Sequence, residues 1–523
     1  MTIAEVPPPA AAESPRPVGR SRAVLRSVLL LDVGLLLALT YVIGFLWPLS
    51  YWRHPDIIPT ERPLADALGT DLAGALRFIV PVVIAFALYG VAVLLARGMS
   101  GTRALIAVLG AGALFAAIFV PTNPVGAQDI YHNVFDARIL WKYGDNPNAV
   151  PPVSFPDDPL YPTVVAWTDF PSVYGPVWYA VSGLPYVFGG DDLRGNVYGH
   201  KVLTAAFLLG TALLAALTAE RIRRGTGVAA AIAVAWNPLM LYETAGNAHN
   251  DIVMIFFAVA AFYALASRRW LWVFPLLALS VATKYGMLLL GPLILVWLLR
   301  RRDVPKSEVL LSLGLGAVVG LAVYLPFFQG AETIDVIRRQ SGYNTSSPSA
   351  LLDVALIRWG HLDSLASSQL MKQIVVPLFA VLYLWQVWRV RGNVAALVER
   401  SVAVLFLLML IATWWFWPWY VLWVVPIAAL VPRRGAALVG LLFSASAMLM
   451  YAAYFWLIYR DGVQLQAATS AVAFLPPALV GVGYLIWRAF HRRSRRQRRI
   501  VRSLGLAPVP VAVSPVGSDT GGD

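Results

Sequence analysis

Apolar runs, many of them about twenty residues long, recur along the chain between short polar or basic segments, the length a helix needs to cross a bilayer. The pattern predicts spans near 28–49, 76–96, 104–121, 198–219, 228–245, 251–267, 270–283, 285–299, 308–328, 371–390, 399–415, 419–431, 435–458 and 465–489. The 270–299 stretch also reads as one long bent helix. The fold class that follows is an all-α polytopic membrane protein, a bundle of about 12–14 transmembrane helices.

Basic residues give this series a direction. With Arg20, Arg22 and Arg26 placed in the cytoplasm, alternation brings Arg97 and Arg103, Arg221 to Arg224, Arg268 and Arg269, Arg300 to Arg302, Arg389 and Arg391, and Arg433 and Arg434 to the same side. This holds only if Tyr174–Gly189, short and rich in proline and aromatics, does not span. It reads as an interfacial helix on the outer leaflet. Both termini are then cytoplasmic. Residues 1–25 form a disordered N-terminus, 26–490 a multispanning domain, and 491–523 a basic and then disordered tail. Two large extracytoplasmic loops follow, 122–197 and 329–370, the first containing the interfacial helix. The first apolar run reads as a signal anchor.

Composition sharpens this picture. The chain of 523 residues is 59% hydrophobic and 13% charged, more apolar surface than a soluble core can hide. Its net charge of +13 would suit nucleic acid, but eight arginines fall between Arg488 and Arg502 and four between Arg16 and Arg26. Both clusters flank apolar spans, so they read as topology signals and contacts to anionic membrane lipids, and no nucleic-acid partner is expected. Cysteine is absent, which excludes disulfides, iron–sulfur clusters and thiolate zinc sites.

Against this background a few polar clusters stand out, all on the extracytoplasmic side of the expected topology. Asp129 and Asp136 lie past the third span, seven residues apart, so a helix would present both on one face. A carboxylate at the mouth of an apolar cavity suits a general base, because desolvation raises its pKa. The same residues also admit a helix N-cap followed by an Asp136–Arg138 surface pair. Asn247, His249, Asn250 and Asp251 open another span; capping requires one polar residue, and four are present. Lys284 interrupts a long apolar run, either snorkelling to the interface or meeting a phosphate at a helix break. Trp417, Pro418, Trp419 and Tyr420 form an aromatic group that fits a membrane belt or a sugar-stacking wall. Arg338 and Arg339 in the second loop could clamp a phosphate. No P-loop, Rossmann glycine pattern or HExxH occurs, and the His spacing is no usual zinc motif.

Taken in order, these blocks resemble the bacterial polyprenol-phosphate-sugar-dependent glycosyltransferases of the GT-C superfamily, closest to the polyprenol-phosphomannose-dependent mannosyltransferases. The similar blocks are Asp129-x-Tyr131 with Asp136-x-Arg138 and Asn146-Pro147, then Tyr174-Gly175-Pro176, then Asn247-x-His249-Asn250-Asp251 with Lys284, then Trp417-Pro418-Trp419-Tyr420. Two positions depart: Gln128 precedes Asp129 where paired acids are frequent, and Asn148 follows Pro147 where Tyr is frequent. The resemblance implies a plasma-membrane enzyme moving a sugar, mannose first, from a polyprenyl-monophosphate donor to a cell-envelope glycan or glycolipid on the extracytoplasmic side, with inversion. It implies catalytic Asp129 or Asp136, with Lys284, His249, Arg338 and Arg339 at the donor phosphate. Tyr131, Arg138, Asn146, Tyr174, Asn247, Asn250, Asp251, Trp417, Trp419 and Tyr420 would meet sugar or acceptor. No cofactor or metal ligand set is expected. The alternative class is a transporter or flippase of a lipid-linked precursor, which would place its polar groups near the midplane.

Overall fold

Each expected apolar run becomes helix, and length sorts the helices into three kinds. The computed structural model describes residues 18–55, 62–330, 345–457 and 462–503. Among these, nine helices are long and apolar enough to cross a membrane, from Val24–Leu49, Leu72–Leu95 and Thr102–Phe119 through to Gly435–Leu457 and Val463–Gly483. The 228–245 run is a bent pair, Gly227–Ala235 and Pro238–Gly246, meeting at 50°. Four shorter apolar helices remain: Asp251–Ala266, Trp270–Val281, Tyr285–Leu299 and Pro418–Ala429. The 270–299 stretch is therefore two helices, broken at residues 282–284. No strand occurs among the described residues, only the isolated bridges Ser50–Thr122 and Thr345–Trp415. Arg338 and Arg339 lie outside the described residues, as do 1–17 of the expected 1–25 N-terminus and 504–523 of the expected 491–523 tail; residues 18–25 and 491–503 are helical.

The chain is a multi-pass membrane protein. Its outer helices carry leucine and valine on their free faces: Leu310 is 66% exposed, Leu321 68% and Val381 64%, which only a lipid solvent tolerates in such density. Around the centre, Leu193–Ile222 packs against Gly227–Ala235 and Asp251–Ala266. Asp192 starts that long helix by accepting from the Arg194 and Gly195 amides.

Two local breaks position the polar residues. Pro238 cannot donate to the preceding turn, and the Asn237 side chain takes the Leu239 and Met240 amides instead, so the helix restarts at an angle. The segment then ends in a π turn, Tyr242–Gly246, and reverses through Ala248, which holds φ at 57°. The second break follows Val281. Here the Gly175 and Val177 amides donate to the Thr283 and Ala282 carbonyls. A Cβ on Gly175 would stand 2.1 Å from the Ala282 oxygen, so only glycine lets the Tyr174 segment dock beside Lys284.

The 122–197 segment has its own small core. The helix Asp129–Trp141 buries Ile130, Tyr131, Val134, Phe135 and Ile139 against Leu160, Val164 and Val197. Arg138, fully buried, ties this unit together: Nη2 donates to Asp158 at 2.6 Å and Asp191 at 2.6 Å, and Nη1 to the Gly190 carbonyl at 2.7 Å. Burial alone would raise the Asp158 carboxyl, but Arg138, Tyr143 and the Leu160 amide hold it down to about 2. Breaking a buried pair from one side leaves an uncompensated charge. Arg138→Met should therefore cost about 3–5 kcal/mol, read as a fall in thermal unfolding temperature in detergent. An unchanged midpoint would show that this guanidinium is not a structural tie.

Candidate active site

A cavity of about 540 Å³ opens where the first loop meets the helix break at Lys284. One wall is the start of the Asp129–Trp141 helix, with Asp129 and His132, and the Ser172–Tyr174 strip beside it. Lys284 stands at the second break, and Trp415, Trp417, Trp419, Tyr420, Tyr454 and Phe455 make an aromatic wall. The extended 413–417 segment holds that wall, fixed by the Thr345 amide on the Trp414 carbonyl at 2.8 Å and the Phe416 amide on Thr345 at 3.0 Å. Trp417 and Trp419 stack with centroids 5.1 Å apart and planes within 5°.

The charged residues form a front layer and a supporting layer behind it. Asp129 accepts a long hydrogen bond from the Tyr174 hydroxyl at 3.4 Å. Burial raises its carboxyl above the usual range, against the pull of Lys284 and His132. His132 follows one turn later, and Nδ1 stands 3.2 Å from Asp136 Oδ1. Asp136 is fully buried and accepts from the Ser172 hydroxyl at 2.5 Å. Burial alone would lower the His132 imidazole, but Asp136, Asp129 and the Trp167 backbone raise it. Lys284 Nζ donates to both oxygens of Asp251, at 3.0 and 3.1 Å, and sits 5.3 Å from the Tyr174 and Tyr420 ring centres. The Trp423 indole also donates to Asp251. Gly286 permits this approach, since a Cβ there would meet the Trp423 ring at 2.6 Å.

Not every residue expected at the site faces the cavity. Asp129, Lys284, Tyr174, Trp417, Trp419 and Tyr420 line it together. Asp136 and Asp251 stand one layer back, against His132 and Lys284 respectively. His249 stacks on Trp419 at 4.2 Å and stands 3.3 Å from Glu243, whose other oxygen accepts from Tyr451 at 2.8 Å. Burial and the Lys284 ammonium push the His249 imidazole well below its usual value, so it meets the cavity through Trp419 as a neutral ring. Asn247 donates to Glu243 and accepts from the Gly126 amide, bracing the entry to the Asp129 helix. Asn250 is buried, and among the described residues neither of its side-chain polar atoms has a hydrogen-bond partner. Asn146 donates to the Phe327 carbonyl at 2.9 Å, while Tyr131 and Arg138 belong to the core of the first loop. Arg338 and Arg339 fall outside the described residues. Among the described residues, no group of three or more His, Asp or Glu is arranged to hold a metal ion.

Sequence reasoning passed over His132 and Ser172 as site residues. The signal for His132 was available: Asp129, His132 and Asp136 are spaced i, i+3, i+7, one stripe of a helix. Ser172 carried no such signal, since only the fold brings it to Asp136.

The raised Asp129 carboxyl has a sign that can be checked. The folded chain binds a proton there more tightly than the unfolded chain, so this group's contribution to stability falls as pH rises through the folded value. Asp129→Asn should thus be the more stable protein at neutral and alkaline pH, the difference closing below the ordinary carboxyl value of 3.8. Thermal unfolding across that range tests it, and an Asn variant less stable at alkaline pH contradicts a buried-charge penalty.

The chain also matches known proteins. A family profile described as "Alpha-(1->6)-mannopyranosyltransferase, N-terminal domain" matches residues 33–300, just over half of the chain. Alpha-(1->6)-mannopyranosyltransferase A of Mycobacterium tuberculosis is 27% identical over 210 residues, 39% of this chain and 40% of that protein. Alpha-(1->6)-mannopyranosyltransferase B of Corynebacterium glutamicum is 27% identical over 149 residues, 28% of this chain and 24% of that protein. The aligned segments thus span less than half of either relative's length. The profile match takes in the first loop, both helix breaks and every charged residue of the cavity described above, and by it the chain belongs to the alpha-(1->6)-mannopyranosyltransferase family.

Proposed function

We propose that this protein transfers a mannosyl residue from a polyprenyl-monophosphate donor to a hydroxyl of an envelope glycan or glycolipid on the extracytoplasmic side of the plasma membrane. The observation that carries the reading is Asp129: a desolvated carboxylate at the start of a helix, on the wall of a cavity shared with Lys284 and a stacked tryptophan pair. Family membership supplies the mannosyl group, and the apolar helices around the cavity suit a donor that never leaves the bilayer.

The chemistry is a direct displacement. Asp129 takes the acceptor proton as the acceptor oxygen attacks the anomeric carbon, and the bond to the phosphate oxygen breaks with inversion. The leaving phosphate gains a second negative charge, so a cation beside it stabilises the transition state more than the bound donor. Lys284 suits that place: two contacts to Asp251 leave one of its three N–H donors for the phosphate. The Trp417–Trp419 face suits the apolar side of a sugar ring.

Membranes carrying the chain should consume radiolabelled polyprenyl-phosphomannose, and Asp129→Asn should abolish transfer while the protein still folds and inserts. Transfer reduced less than about tenfold in that variant would remove Asp129 as the base. The topology is tested separately. Asp157 and Arg224 are both exposed, and the chain has no cysteine of its own. In intact cells an impermeant thiol reagent should label Asp157→Cys and spare Arg224→Cys; the reverse pattern would turn the protein over.

A further inference from the structure

His132 and its buried partner have no part in the reaction as written above. The ring lines the same cavity as Asp129, one helical turn along the same face. Asp136 stands 3.2 Å from Nδ1 and is itself pinned by the Ser172 hydroxyl at 2.5 Å, so the ring's orientation is fixed from behind. Among the described residues Nε2 makes no hydrogen bond of ordinary geometry, although the Trp167 backbone stands near enough to the ring to favour its charged form. Among the described residues, His132 and Lys284 are the two side chains on the cavity wall able to carry positive charge. Lys284 already spends two donors on Asp251. A phosphate monoester leaving group therefore meets one remaining ammonium N–H, which is little for a second negative charge. Among the described residues the Trp417 indole N–H is unpaired too but neutral, and His132 is the other wall side chain able to bring positive charge.

We propose that His132, oriented by Asp136, is the acid that protonates the leaving phosphate and the route by which Asp129 is returned to its basic form, a role that rests on the mannosyl transfer proposed above. The step balances. The acceptor O–H proton goes to the Asp129 carboxylate, the acceptor oxygen bonds the anomeric carbon, and the bond from that carbon to the phosphate oxygen breaks with its electron pair on oxygen. The proton on His132 Nε2 passes to the phosphate, which leaves as a hydrogen phosphate monoester. Protonated Asp129 then returns its proton to the imidazole, so both groups end as they began. The groups facing His132 suit this cycle. Asp129 and Asp136 on its own helix favour the imidazolium, as does the Trp167 backbone from the neighbouring loop. Tyr174 bonds Asp129 from the docked strip, and across the cavity Lys284 is balanced by Asp251.

The test uses the purified full-length chain with two donors, polyprenyl-phosphomannose and its thiophosphate analogue, whose leaving group is the weaker base and needs less protonation. His132→Gln should lower kcat about a hundredfold with the phosphate donor and about tenfold or less with the thiophosphate. It should also lose the alkaline fall in kcat that deprotonation of an essential acid produces. Asp129→Asn should lose both donors alike. Asp136→Asn should move the alkaline fall to lower pH, as expected of a positioning residue that stabilises the imidazolium; a change in thermal stability with the pH profile unmoved would make Asp136 merely structural. Equal losses with both donors in His132→Gln, or an unchanged alkaline limb, would overturn the acid role while leaving Asp129 as the base. Failure of the unaltered chain to transfer mannose from either donor would bring down the transfer reading itself, and this role with it.

Discussion

Three separate stretches of chain meet at the Asp251 carboxylate. It opens one helix, accepts both contacts from Lys284 at the break in the 270–299 run, and takes the indole N–H of Trp423 from the aromatic turn. A lone carboxylate or ammonium among so many apolar side chains would carry a desolvation cost of several kcal/mol. Each is tolerable because the other is there. The helix beginning at Asp251, the unwound residues 282–284 and the 418–423 turn cannot shift independently without exposing one of those charges. The cavity's shape follows from that shared constraint, since the strip carrying Tyr174 docks through the Gly175 and Val177 amides on the Thr283 and Ala282 carbonyls, and Tyr420 closes over the same ammonium.

A second arrangement of the same kind stands opposite. His132 faces the cavity with Asp136 behind it, as Lys284 does with Asp251. Behind the aromatic wall, Glu243 receives Tyr451 and Asn247 and stands beside His249, whose ring supports Trp419. The charged groups that face the cavity are thus few, and most of the conspicuous polar residues stand behind them. Asp129 differs from its neighbours: the hydrogen bond it accepts from Tyr174 is long, at 3.4 Å, and burial raises its carboxyl. A carboxylate left in that state is ready to take a proton.

Much of the fold was legible from hydrophobic periodicity, because a membrane imposes its thickness on sequence more directly than a soluble core does. The expected runs are largely helical; Pro81, Pro377, Pro476 and Pro477 sit inside unbroken helices, whereas the runs at Asn237–Pro238 and at Lys284 are broken. The site was legible in part for the same reason: a charge within an apolar run is rare enough to attract notice. What could not be read was which layer a residue occupies. Arg138 and Asn146 stand out in the sequence as strongly as Asp129, yet one ties Asp158 to Asp191 and the other holds the Phe327 carbonyl, a partner 181 residues away. His132 looked unremarkable because its partner is local but its setting is not; Ser172 and Trp167 reach it from the far end of the loop.

The division into layers also bears on how such a site can accept a charged lipid donor. On the cavity wall Lys284 stands 3.0 Å from Asp251 and His132 3.2 Å from Asp136. This arrangement offers donors already oriented before a substrate arrives, in surroundings dry enough that one hydrogen bond counts for more than in water. The polyprenyl donor proposed above would need no electrostatic steering, because a membrane would already hold it at the right depth. On that reading the buried charges serve the bond being broken, not capture.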